Sequence, residues 1–148
     1  MATEKEKANK TEKSDKKIIN TAGKRKQAIA RATLKPGKGT VYINHLPLDY
    51  FQPKFARLKL REPFILAGDL ANNINVKVKV RGGGITGQTE AARLAIARGL
   101  VAYHNSDELK NRFLEYDRHL LVADVRRNEP AKPNRHGKPR QKVQKSYR

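Results

Sequence analysis

The chain has 148 residues, with 33 Lys and Arg against 14 Asp and Glu, a net charge of +19 and a pI near 10.4. That length suits one modest domain with tails, and charge of one sign at this density points to a polyanionic partner. The absence of cysteine excludes disulfides and thiolate metal sites, no apolar run approaches the ~20 residues that span a bilayer, and His45, His104, His119 and His136 are scattered without ligand spacing.

Residues 1–17 form a Lys/Glu-rich arm of net charge +2 with no aromatic or branched aliphatic side chain. Such a stretch buries too little to offset its ordering, so it is expected to be disordered. It has no apolar core to act as a secretory signal, and Glu4, Glu6, Glu12 and Asp15 argue against a mitochondrial leader. The expected location is cytoplasmic.

Residues 18–125, of net charge +9, hold the core-forming side chains. From Ile18 to Ile43 the pattern predicts a β-hairpin: a first strand over Ile19 to Leu34, a turn at Pro36-Gly37-Lys38-Gly39, and a return strand through Val41, Tyr42 and Ile43. Lys24, Arg25 and Lys26 sit in a row near its start, and Arg31 and Lys35 continue one face. His45 to Leu60 is read as a connection with apolar anchors, and Pro63 suits the first turn of a helix, where its missing N–H would be unpaired anyway.

The stretch Asn75 to Tyr103 organises the rest. Val76, Val78 and Val80 alternate with Lys77, Lys79 and Arg81, and Ile74 extends the apolar face, which is the period of a half-buried strand. Gly82, Gly83 and Gly84 break that strand, and Thr86 with Gly87 opens a helix that runs to about His104. Ala92, Ala95, Ile96, Gly99, Leu100 and Tyr103 form its packing stripe. A second helix capped by Asp107 and a last strand from about Leu120 to Val125 complete the domain.

Residues 126–148 carry a net charge of +8, with Pro130, Pro133, Pro139 and Gly137 against regular structure. They are expected to form an extended tail that, fully stretched, reaches about 75 Å at ~3.3 Å per residue. Lys138, Arg140 and Lys142 recur at every second position, about 6.6 Å apart on one side of an extended chain, which suits a run of phosphates.

Three chemistries compete for Gly82 to Gly87. The spacing satisfies a dinucleotide fingerprint, but too little chain follows for the remaining sheet and the ribose-binding acid. A phosphate loop fails because Gln88 stands where lysine is needed, and Asp124 is the sole later candidate for a magnesium ligand. A polynucleotide phosphate above the turn uses the same amide geometry and alone accounts for Lys77, Lys79, Arg81 and the tail. No catalytic constellation and no metal or cofactor site is read; Asp107-Glu108 suits a helix start. A sequence-tolerant DNA-compacting protein is the alternative from another class.

The run Gly82-Gly83-Gly84, Gly87-Gln88, Ala91-Ala92, Ala95, Ala97-Arg98-Gly99-Leu100 resembles the signature of the small-subunit ribosomal protein nine family. Gly23-Lys24-Arg25-Lys26 with Ala28-Ile29-Ala30-Arg31, then Pro36-Gly37-Lys38-Gly39, and the terminal Lys145-Ser146-Tyr147-Arg148 agree in order. Tyr147 before the last arginine resembles archaeal and eukaryotic members, and the short length with the Lys/Glu arm favours the archaeal side. His45 follows Asn44 where the family commonly has glycine.

The resemblance implies an α/β (α+β) fold, a two-layer sandwich of a four-stranded mixed sheet with helices on one face, a left-handed crossover and a long extended basic C-terminal tail. It implies a structural role in the small ribosomal subunit, with small-subunit rRNA of the head as partner, alongside neighbouring head proteins. Neither a membrane nor a small-molecule substrate is expected. The rRNA-binding candidates are Lys24, Arg25, Lys26, Arg31, Lys77, Lys79, Arg81, Gly82, Gly83, Gly84, Gln88, Arg126, Arg127, Lys132, Arg135, Lys138, Arg140, Lys142 and Lys145. Ser146, Tyr147 and Arg148 are those for the anticodon stem-loop of P-site tRNA.

Overall fold

The computed structural model describes residues 18–133 and 139–140. The predicted arm at 1–17 lies outside them, as does most of the predicted tail. Five strands and three helices follow in the order β1 (Ile19–Arg25), β2 (Ala28–Pro36), β3 (Val41–Ile43), β4 (Leu46–Pro47), α1 (Lys54–Ala67), β5 (Ile74–Arg81), α2 (Ile85–His104) and α3 (Asp107–Tyr116). The sheet is mixed, in the order β1-β2-β5-β3-β4. β5 is antiparallel to β2 and parallel to β3, so α1 lies in the crossover between parallel neighbours. The fold is α+β with five strands, one more than expected, because the two-residue β4 adds an edge.

Alternation decides what is buried. Ala28, Ala30, Ala32 and Leu34 of β2 and Ile74, Val76, Val78 and Val80 of β5 face the helices, and all are buried. Against them lie Ala92, Ala95, Ile96 and Leu100 of α2, with Leu60, Leu109, Phe113 and Leu120 closing the core. Small side chains bring α2 down onto the sheet. A Cβ on Gly23 would stand 2.1 Å from the Ala91 carbonyl oxygen, and one on Gly99 would stand 2.3 Å from a Leu34 methyl. In that close approach the Thr21 hydroxyl donates to the Ala95 carbonyl at 2.7 Å.

Five expectations are corrected. The stretch Ile19 to Leu34 is two strands, paired antiparallel around Lys26 and Gln27. That turn contains no Gly, Asn or Pro to mark it, and Lys26 itself takes the left-handed backbone at φ 53°. The return strand Val41–Ile43 does not pair with β2, because β5 lies between them. The helix around Pro63 starts nine residues earlier, at Lys54, and Pro63 is buried in its interior. There its ring leaves the carbonyl of Lys59 without the usual helical donor.

The last strand is absent. Arg118–Leu120 forms a 3-10 turn and the chain then runs on without ladder pairing. Leu120 is buried, Leu121 and Ala123 are half-buried, and Val125 is 85% exposed, so no alternating strand face forms. At α3 the cap is Ser106, whose hydroxyl accepts from the Leu109 amide at 3.4 Å; Asp107 is the first helical residue, favourable at the N-terminal dipole.

The β3–β4 turn puts Asn44 at φ 48° and His45 at φ 72°. Two left-handed residues are what a tight two-residue hairpin requires. Asn44 also prolongs the sheet with its side chain: its amide donates to the Val80 carbonyl at 3.1 Å and its oxygen accepts from the Val80 N–H at 2.7 Å.

Candidate nucleic-acid interface

The residues that alternate away from the core define the other face of the sheet. Lys24 of β1, Arg31 and Lys35 of β2, and Lys77, Lys79 and Arg81 of β5 are all exposed there. The register sets them side by side. Arg31 stands directly opposite Lys79, and Ile29 lies between Lys24 on one side and Arg81 on the other. Like charges directly opposite each other destabilise a sheet. Among the described residues no carboxylate forms an ion pair with Lys24, Arg31, Lys77, Lys79 or Arg81. The outer sheet face is thus an array of cations for which the described residues supply no counter-charge.

The other candidates are placed differently. Lys26 is exposed at the β1–β2 turn. Arg25 points to the opposite side of the strand from Lys24. Its Nε donates to Glu90 at 2.7 Å, and its Nη1 lies 2.8 Å from Asp124, so its charge is spent on the protein. Gly82 and Gly83 take φ 74° and 66°, and a Cβ on either would press on Gln27 or Ala28 of the β1–β2 turn. Gly84 caps α2, whose first amides lack partners within the helix. The Gln88 side chain donates to the Gly82 carbonyl at 3.1 Å, holding the glycine turn closed.

Beyond α3, three arginines clasp the chain to the domain. Arg93 binds Asp117 at 2.7 Å and also pairs with Glu62. Arg98 donates through Nε to the Leu121 carbonyl at 2.8 Å and through Nη1 to the Ala22 carbonyl of β1 at 3.2 Å. Arg25 holds Asp124, and Arg126 forks onto the same carboxylate, while its backbone N–H donates to it at 2.8 Å. Burial acts to raise the Asp117 pKa, but the His119 amide and the Arg93 guanidinium outweigh it and the net shift is downward. Hydrogen bonds from the Arg126 side chain and amide, with the charge of Arg25, hold Asp124 well below the usual carboxylate range. Asp124 raises the pKa of Arg126 in return. Sequence reasoning missed this clasp; its one signal was Asp117 directly before Arg118 and Asp124 just ahead of Arg126-Arg127.

Arg127 and Lys132 are exposed on irregular chain. Arg140 forks onto Glu129 and lowers the pKa of that carboxylate. Arg135, Lys138, Lys142, Lys145, Ser146, Tyr147 and Arg148 lie outside the described residues. Among the described residues no group of acids and histidines is placed to hold a metal ion, and no helix is long and apolar enough to cross a membrane.

Comparison with known proteins decides the family. The profile described as Ribosomal protein S9/S16 matches residues 23–148. The chain belongs to this ribosomal protein family. A relative named small ribosomal subunit protein uS9, from Desulfurococcus amylolyticus, is 52% identical over 136 residues, covering 91% of this chain and 96% of its own. Proteins of the same name from two strains of Methanococcus maripaludis, C7 and S2, are 51% and 50% identical over 133 residues, 89% of this chain and 99% of theirs. These relatives are archaeal, the side that the short length and the Lys/Glu arm favoured.

Seen in the fold, much of the family signature is packing. Gly82 and Gly83 fit the turn against Gln27 and Ala28, Gly23 makes room for the backbone of Ala91 and Ala95, Gly99 makes room for Leu34, and Arg98 secures the start of the tail. The cations that could meet an RNA lie mostly outside the signature, on β2 and β5.

Proposed function

We propose that this chain is a structural constituent of the small ribosomal subunit whose sheet face binds rRNA of the subunit head. Its tail runs onward through the rRNA, beside neighbouring head proteins, until Ser146, Tyr147 and Arg148 reach the anticodon stem-loop of P-site tRNA. The observation that carries this is the open sheet face. On three adjacent strands it gathers Lys24, Arg31, Lys77, Lys79 and Arg81, without a described carboxylate among them, in a member of a ribosomal protein family.

The work is binding and charge neutralisation, with no bond made or broken. Phosphates on the sheet face relieve the Arg31–Lys79 repulsion that the free domain carries. In the tail, cations spaced along extended chain offset RNA strands that would repel one another, and the Arg148 guanidinium can fork onto a tRNA phosphate. Tyr147 would stack on a base or ribose.

Binding of the full chain to a head-domain rRNA fragment should weaken as salt rises, with log K falling by roughly 0.7–0.9 per phosphate neutralised for each unit of log salt. A flat titration overturns the reading, as does cosedimentation with DNA in preference to small subunits. Deleting Ser146 to Arg148 is expected to leave subunit assembly intact and to weaken P-site tRNA retention. Unchanged retention removes the role given to the tail's end.

A further inference from the structure

We propose that the sheet face takes an unpaired RNA strand, with Tyr42 as the platform on which one base stacks; this rests on RNA binding by that face. Ile43 is buried in the core, so its neighbour Tyr42 is directed to the open side of β3. There it stands beside Lys77 of β5 and opposite Pro47 of β4. It is the one aromatic residue at the outward positions of the five strands, and it is half-buried. Among the described residues no hydrogen bond engages its hydroxyl.

Two features favour a single strand over a duplex. Lys77, Lys79 and Arg81 run away from Tyr42 along β5 with a repeat of about 6.8 Å, comparable with the phosphate repeat of an extended, unstacked strand. A duplex would present chiefly its backbone to an open sheet face, keep its bases inside, and leave the tyrosine without a partner. A strand laid along β5 instead lets its phosphates meet the cations while one base turns onto the ring. Such stacking tolerates any base, because each has a π-face.

The test compares a short unstructured oligouridylate with an RNA duplex of equal phosphate number, each bound to the full chain, its Tyr42→Leu variant and its Tyr42→Phe variant. The proposal expects Tyr42→Leu to lose about 5- to 150-fold in affinity for the single strand, with its duplex affinity and salt slope unchanged. Tyr42→Phe should bind as the parent does, and ultraviolet crosslinking of the parent to the oligouridylate should map to Tyr42. Equal affinity of Tyr42→Leu and parent for the single strand overturns the stacking role while phosphate binding stands. If Tyr42→Leu does not fold, the crosslink decides, and its absence from Tyr42 overturns the proposal. Failure of the parent to bind either RNA in a salt-dependent way overturns both this inference and the reading beneath it.

Discussion

Replacing Lys79 by Gln should stabilise the free protein while weakening the RNA binding proposed for it. Lys79 faces Arg31 across the β2–β5 ladder and has Lys77 and Arg81 two residues away on either side. Opposed Cβ atoms are about 5 Å apart, and splayed side chains bring the charges to roughly 6–7 Å. In water such a pair repels by about 0.6 kcal/mol, which screening at physiological salt reduces to about 0.3 kcal/mol. Three cationic neighbours together give about 1 kcal/mol, or a rise in melting temperature of about 4 °C for a domain of this size. Glutamine keeps most of the stem and costs little in the strand. The assay is a thermal melt of parent and Lys79→Gln at low and at high salt, paired with an RNA titration. At ~1 M salt, where the Debye length is about 3 Å, the gain should vanish. The slope of log K against log salt should lose close to one phosphate's worth. A variant that melts no higher than the parent at low salt, or keeps its advantage at high salt, would refute the account of this face as a self-repelling cation array.

Gly23→Ala places a methyl against the backbone of α2 and should cost about 1–3 kcal/mol or more; a melting temperature within a degree of the parent's would contradict the close packing described. His45→Gly removes a side chain from a left-handed position, so a gain of about 0.5–1 kcal/mol is expected, read from the denaturant midpoint. Asp117 and Asp124 have folded pKa values below their unfolded ones. The stability they contribute is therefore present above the unfolded value of about 3.9 and is lost as pH falls through the folded values. Melting should be flat from neutral pH to about 5 and drop below about 4, and Asp117→Asn and Asp124→Asn should each shrink that drop. An equal drop in parent and variants would count against the clasp.

How far the sequence could be read depended on how much of each signal was local. The stretch from Ile74 to His104 was legible because strict alternation, a glycine break and a small-residue stripe each act within a few neighbours. The split between β1 and β2 was hidden because Lys26 adopts a glycine-like backbone without being glycine. Pro63 misled because proline usually marks a first turn, whereas here packing around a buried ring tolerates it deep in α1. The strand expected at Leu120 to Val125 has suitable residues but no ladder; Arg98 and Arg25, from α2 and β1, bind that segment through a carbonyl and a carboxylate. On the candidate interface, alternation told which cations share a face. Only the register could tell that Arg31 meets Lys79, or that Arg25 turns inward to acids far away in the chain.

The clasp has a consequence for how the two halves of the molecule act together. Because Arg98 and Arg25 root residues 121–124 on the body, the portion beyond Arg126 is anchored at a defined spot near the edge strand. On the proposed function, with the body docked on RNA, the local abundance of those trailing charges would be set by tether length, not by how much protein is in solution. Loosening the root would enlarge the volume they sample and dilute them, with every cation still in place.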